Sequence, residues 1–162
     1  MPDSQVTEIL GRNRLIDELL RAGLEVALPL RDRGIDLIAY FDTGETVTAF
    51  TARPIQMKAA SGESFSIDRK YTMFPNLILA YVWNIHEPAK TVAFSLNYCE
   101  ALAIADQMGY TRTESWQKGF YACTSMSGKL RALLEAHRTT PSKWREMMTG
   151  VPQAAITPKS ER

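Results

Sequence analysis

Gly34-Ile35-Asp36-Leu37-Ile38-Ala39-Tyr40-Phe41, the turn residues Asp42-Thr43-Gly44-Glu45, and a second apolar-rich run ending Pro54-Ile55-Gln56-Met57-Lys58 decide how this chain is read. Both runs are rich in aliphatic and aromatic residues, and the link between them carries Asp and Gly. That pattern predicts two adjacent strands of a hairpin. An acid opens the first run and a Gln-x-Lys closes the second. Residues two apart on a strand share a face, so Gln56 and Lys58 point the same way. Pairing of the two strands then gathers Asp36, Gln56 and Lys58 at one edge of a sheet.

Upstream, residues 4–22 read as a helix, with Asp3 or Ser4 as N-cap and Gly23 as the stop. Val6, Ile9, Leu10, Ile16 and Leu20 form one stripe at about 100° per residue. Asn13 lies in the middle of that stripe, Asp17 at its margin, and Glu8 on the far side. A polar Asn in an apolar stripe needs a partner or a wet edge. It is either a satisfied interior amide or the rim of a site. Glu25 to Pro29 is a short strand, and Arg31, Asp32 and Arg33 make a charged loop before the hairpin.

Downstream, Thr46 to Ala52 is β-rich, and Arg53-Pro54 predicts a bulge or an edge. Ala60 to Ser64 is a loop, and Asp68 to Tyr71 a turn of helix. Leu77 to Trp83 is apolar on both parities, which predicts a strand buried on both faces. Asn84 to Lys90 is a turn and Thr91 to Leu96 a further strand. Asn97-Tyr98-Cys99-Glu100 has the form of a capping box that opens a helix through Met108, closed by Gly109. The last third is mostly helical: a strand within 111–124, a helix over 127–137 and another over 141–148. The order predicts an α/β, more strictly α+β, mixed sheet with helices against it. Residues 1–149 read as a single domain and 150–162 as a mobile tail.

The chain has 162 residues, with 45% hydrophobic and 23% charged, ordinary values for a globular domain. A net charge of +1 is not the signature of a protein that coats nucleic acid by charge alone, counts mildly against a nucleic-acid reading, and leaves local patches open. Cys99 and Cys123 have no Cys or His at ligand spacing, so they read as reduced thiols. The N-terminus has no secretory pattern, and the longest apolar run is too short to cross a bilayer. The cytoplasm is therefore the expected compartment.

Phosphodiester cleavage uses a metal to offset phosphate charge and activate water. Hard cations take oxygen ligands. Asp36 offers a carboxylate, Gln56 an amide oxygen, Met57 a main-chain carbonyl, and Lys58 an ammonium to orient water or stabilise the pentavalent phosphate. At these residues the chain resembles the PD-(D/E)xK nuclease superfamily, the restriction-endonuclease-like fold. Gly34-Ile35-Asp36-Leu37-Ile38 resembles its Asp motif. Ile55-Gln56-Met57-Lys58 resembles the Gln-x-Lys variant of some homing endonucleases. Residues 19–29 resemble its helix-to-strand entry.

The resemblance spans about residues 8–105. It implies a restriction-endonuclease-like core of helix, β-meander, helix and strands, with the mostly helical C-terminal third as an extension. It also implies a homodimeric, Mg²⁺- or Mn²⁺-dependent nuclease acting on DNA, with Asp36, Gln56 and Lys58 catalytic and Asp36 and Gln56 on the metal. Many members carry a Glu on the opening helix near Gly11-Arg12-Asn13. Here the corresponding place falls to Asn13.

Arg69 and Lys70 are candidates for nucleic-acid backbone contact, and Lys129, Arg131, Arg138, Lys143 and Arg145 make the last third locally basic. Gly128-Lys129 lacks the remainder of a phosphate loop, and His86 and His137 have no motif partner. Taken singly, Asp36 also fits a turn cap, Gln56 an exposed strand residue and Lys58 a surface lysine. Two alternatives follow: a catalytically inactive nuclease-fold protein that binds nucleic acid or a protein, and an unrelated α/β interaction domain.

Overall fold

The computed structural model describes residues 3–31, 33–42, 44 and 49–150. Helix α1 (Ser4–Arg21) starts at Asp3, whose Oδ1 accepts from the Gln5 N–H at 2.8 Å. Gly23, at φ +77°, turns the chain out of it. Strands β1 (Leu24–Ala27), β2 (Leu37–Phe41) and β3 (Ala52–Ala59) follow as an antiparallel meander. β3 then pairs in parallel with β5 (Ile78–Trp83), and β5 pairs antiparallel with β6 (Val92–Asn97). The result is a five-stranded mixed sheet in the order β1-β2-β3-β5-β6, an α+β architecture.

Every residue of β5 is buried. Leu79, Tyr81 and Trp83 enter a core on one face with Phe94, Leu96 and helix α2 (Tyr98–Gln107). Ile78, Ala80 and Val82 enter a second core on the other face with α1, β2 and β3. The two-parity apolar run therefore has the cause expected for it, two covered faces. The Asn97 capping box forms as read: Asn97 Oδ1 accepts from the Glu100 N–H, and Glu100 returns the bond to the Asn97 N–H.

The turn of helix expected over 68–71 is present as a single 3₁₀ turn, and an unexpected strand precedes it. Between β3 and β5 lie strand β4 (Phe65–Asp68) and a 3₁₀ turn, Arg69–Met73, capped by Asp68. β4 pairs with β7 (Phe120–Cys123) as a separate two-stranded sheet, held beside the short helix α3 (Glu114–Gln117). Phe65 and Ile67 alternate with half-buried neighbours, which is strand patterning. Their pairing partner lies far along the chain, outside any local window. Pro54 sits where β3 has β2 on one side and β5 has not yet joined, as its missing N–H requires.

Helices α4 (Gly128–Glu135) and α5 (Pro141–Thr149) close the chain, N-capped by Ser127 and Thr140. Their link covers the free edge of β6. The Ser95 N–H donates to His137 O and the Thr139 N–H to Ala93 O, each at 2.9 Å, and Arg138 lies over the Phe94 ring. The tail expected over 150–162 lies outside the described residues beyond Gly150, as do parts of the 42–45 turn and the 46–52 run. Among the described residues no helix is long and apolar enough to cross a membrane.

Two outcomes follow. A Cβ on Gly11 of α1 would meet the Ala59 Cβ at 2.5 Å, so α1 approaches β3 only because position 11 has no side chain. Gly11→Ala should lower stability by about 1–2 kcal/mol in urea unfolding, the clash outweighing the helix-propensity gain of about 1 kcal/mol. Adding Ala59→Gly should recover most of that loss. The half-buried His137 imidazole is held below its ordinary 6.5 by burial, against the opposing pull of Glu100. A depressed histidine binds protons more tightly when unfolded, so the melting temperature should fall as pH drops from about 6.5 towards 5. His137→Gln should flatten that fall.

Candidate active site

β3 has β2 as a neighbour only up to Ile55, which pairs with Leu37. Beyond Ile55 that edge of β3 is open, and its N–H and C=O groups need other partners. The chain just before β2 supplies them. Gly34, at φ +87°, turns the backbone so that Asp36 approaches, and the Asp36 N–H donates to Ile55 O at 2.9 Å. The Asp36 Oδ2 then accepts from the Met57 N–H at 2.6 Å and from Gln56 Nε2 at 2.7 Å. Gln56 Nε2 also donates to Met57 O at 3.1 Å. Gln56 Oε1 is buried and has no hydrogen-bond partner.

A cavity of about 500 Å³ opens at this edge. Asp36, Gln56, Met57 and Lys58 line one side and Ser4, Thr7 and Glu8 of α1 another. The three residues expected to cluster are therefore brought to one cavity. The Lys58 ammonium lies 5.9 Å from the centre of the Tyr71 ring, and Lys70 approaches the same ring at 5.2 Å. Tyr71 is buried, so the ring that Lys58 approaches is held in the core.

Asn13 is not part of this site. It is exposed and belongs to the stripe of Val6, Ile9 and Leu20, all three also exposed. The face of α1 that packs on the sheet is Gly11, Leu15, Leu19 and the following Ala22. Glu8 precedes Gly11 by three residues and so falls on that packed side, over the cavity. The helix does supply a carboxylate, from Glu8, which pairs with Arg12. The signal that identifies it is the 3–4–4–3 spacing from Glu8 through Gly11, Leu15 and Leu19 to Ala22. The more apolar stripe masked it. His86 is exposed, and its Nε2 lies 2.9 Å from the hydroxyl of Thr7 at the cavity wall.

Arg69 and Lys70 are exposed and outside the cavity lining. Arg69 lies over the Trp116 ring, and Lys70 pairs with Asp68 at 3.3 Å. In the last third, Arg131 is held by Glu63, Arg138 by Glu135, and Arg145 donates to Ala22 O.

Comparison of the chain with protein-family models, with curated proteins and with solved structures finds no match.

The donor set can be tested against a hard cation. Among the described residues no three His, Cys, Asp or Glu side chains converge as a metal cluster. Oxygen atoms do converge: Asp36 Oδ2 and Met57 O both point at the Gln56 amide nitrogen. Reversing that amide turns the unpartnered Oε1 towards the same two acceptors. Three oxygens, one of them charged, then face one point, which is the chemistry Mg²⁺ and Mn²⁺ accept. Without a cation the amide nitrogen satisfies both acceptors.

Gln56→Glu tests that economy. It removes the donor and sets a second carboxylate against Asp36 and a carbonyl. The variant should melt lower than wild type in chelator, and Mn²⁺ should raise its melting temperature more than that of wild type.

Proposed function

We propose that the protein is a metal-dependent nuclease that hydrolyses DNA phosphodiester bonds, with a core of the restriction-endonuclease-like, PD-(D/E)xK kind in its Gln-x-Lys variant. The observation that carries the reading is the meeting of Asp36, the reversible Gln56 amide, the Met57 carbonyl and Lys58 at one open strand edge, beneath Glu8.

Asp36, Gln56 Oε1 and Met57 O are the atoms that would hold Mg²⁺ or Mn²⁺. When bound, the cation supplies charge neutralisation at the phosphate and a more acidic water. Asp36 carries the only negative charge of that set, and its bond from the Met57 N–H fixes its orientation. Lys58 holds the attacking water on the phosphate side and stabilises the charge that builds on the non-bridging oxygens. Glu8, across the cavity, is placed to accept a proton from that water once Arg12 releases it. Arg69 and Lys70 extend the cationic surface past Tyr71 for contact with the DNA backbone. Two copies, each cutting one strand, form the working unit.

A second reading, a catalytically inactive nuclease-fold protein that binds nucleic acid or a protein, draws on one observation. The Gln56 amide nitrogen already satisfies Asp36 and Met57 O, so the site is stable without a cation.

Cleavage of plasmid and linear DNA with Mg²⁺ or Mn²⁺ separates the two. Wild type should cleave. Lys58→Ala should lower the rate by about 10²–10³-fold with unchanged circular dichroism and melting. Asp36→Ala should lower it as much and also lower the melting temperature, because the Met57 N–H and the Gln56 amide lose their acceptor, and Glu8→Gln should lower the rate less. Equal cleavage by Lys58→Ala would overturn the assignment. DNA binding indifferent to both cations, with no cleavage, would establish the inactive reading.

A further inference from the structure

Helix α1 carries two apolar stripes, and the sheet is packed mainly by one. The outer stripe is Val6, Ile9, Asn13, Ile16 and Leu20, stepping by three, four, three and four residues, and of these Ile16 also touches the core beneath. That is the a-d-a-d-a spacing of a two-stranded coiled-coil seam. Val6 is 44% exposed, Ile9 51% and Leu20 51%, and Leu10 at the flank is 37% exposed. Ile16 is half-buried. The packed residues Gly11, Leu15 and Leu19 lie on the other side of the helix.

We propose that this stripe is a self-association surface, and that two copies of the chain pair through α1 in parallel about a two-fold axis. Three features choose a second copy as the occupant. Asn13 sits at the central a position. In a parallel pair it faces Asn13 of the other copy, where each amide both donates and accepts, and this sets register and two-strandedness.

The flanks are charge-complementary to themselves. Arg12 occupies the position before the a residue, and Asp17, five residues on, occupies the position after the d residue. These are the two positions that meet across a parallel seam. With the pairs already present within the helix, Glu8 with Arg12 and Asp17 with Arg21, the contact completes an alternating row of acid, base, acid, base across the interface. The helix is also already folded against β1 and β3, so pairing costs no helix formation. The pairing needs only α1 and is independent of the nuclease chemistry. Through Arg12 it reaches Glu8 at the cavity.

Two heptads make a seam below the size of a standard protein interface, so association should depend on concentration. Sedimentation equilibrium of the full chain tests it. Wild type should populate dimer as concentration rises, and Ile9→Lys should stay monomeric with an unchanged circular dichroism spectrum, its side chain being half exposed in the single chain. Asp17→Arg should weaken the dimer, and Arg12→Asp combined with it should restore association. Leu20→Cys in a Cys99→Ser, Cys123→Ser background should form an intermolecular disulfide on oxidation, since a parallel pair sets position 20 against itself. A wild type monomeric at every soluble concentration would overturn the proposal. So would a dimer that Ile9→Lys leaves intact, or one that Leu20→Cys fails to cross-link.

Discussion

Strand β3 has sheet neighbours on both sides only at Ile55. Before that residue it belongs to the meander with β2, and after it to the parallel pair with β5. This offset leaves the backbone of its second half bare on one edge, and a buried N–H or C=O cannot stay bare. Asp36 and Gln56 answer that demand at Met57. A structural need, satisfying a strand edge, has thus placed a carboxylate, an amide and a carbonyl within bonding distance of one point. That is also what a hard cation asks of a protein.

The position of α1 follows from the same strand. Gly11 lets the helix lie almost in contact with Ala59, and Leu15 and Leu19 fill the core beneath. One turn earlier, Glu8 reaches the cavity. The helix is therefore registered to the site by a missing side chain. Any residue at position 11 that lifted α1 from β3 would also lift Glu8. The outward face is left free to carry a different pattern, and it carries a heptad.

Much of this was legible locally. The strand buried on both faces, the capping box at Asn97, the Gly23 stop and the Asp–hairpin–Gln-x-Lys arrangement each depend on residues close in sequence, and each has one dominant physical cause. The misreadings share another feature. α1 has two stripes at helical spacing, and apolarity favoured Val6, Ile9 and Leu20 over Gly11, Leu15 and Leu19. Packing against a sheet turned on close approach, so a glycine outweighed an isoleucine. That inversion moved Asn13 out of the site and Glu8 into it.

The sequence by itself determined most of the elements, with β4 and α3 the exceptions, the α+β class, and the presence of an acid, an amide and an ammonium near one hairpin edge. Periodicity and capping act within a few residues and need no partner to be read. Only the tertiary structure decided which face of α1 is buried, that β4 finds β7, that the link between α4 and α5 seals β6, and that Glu8 and Thr7 wall the cavity. Each of these is a contact between segments distant in the chain, set by shape and by the satisfaction of backbone groups, and no local pattern carries that information.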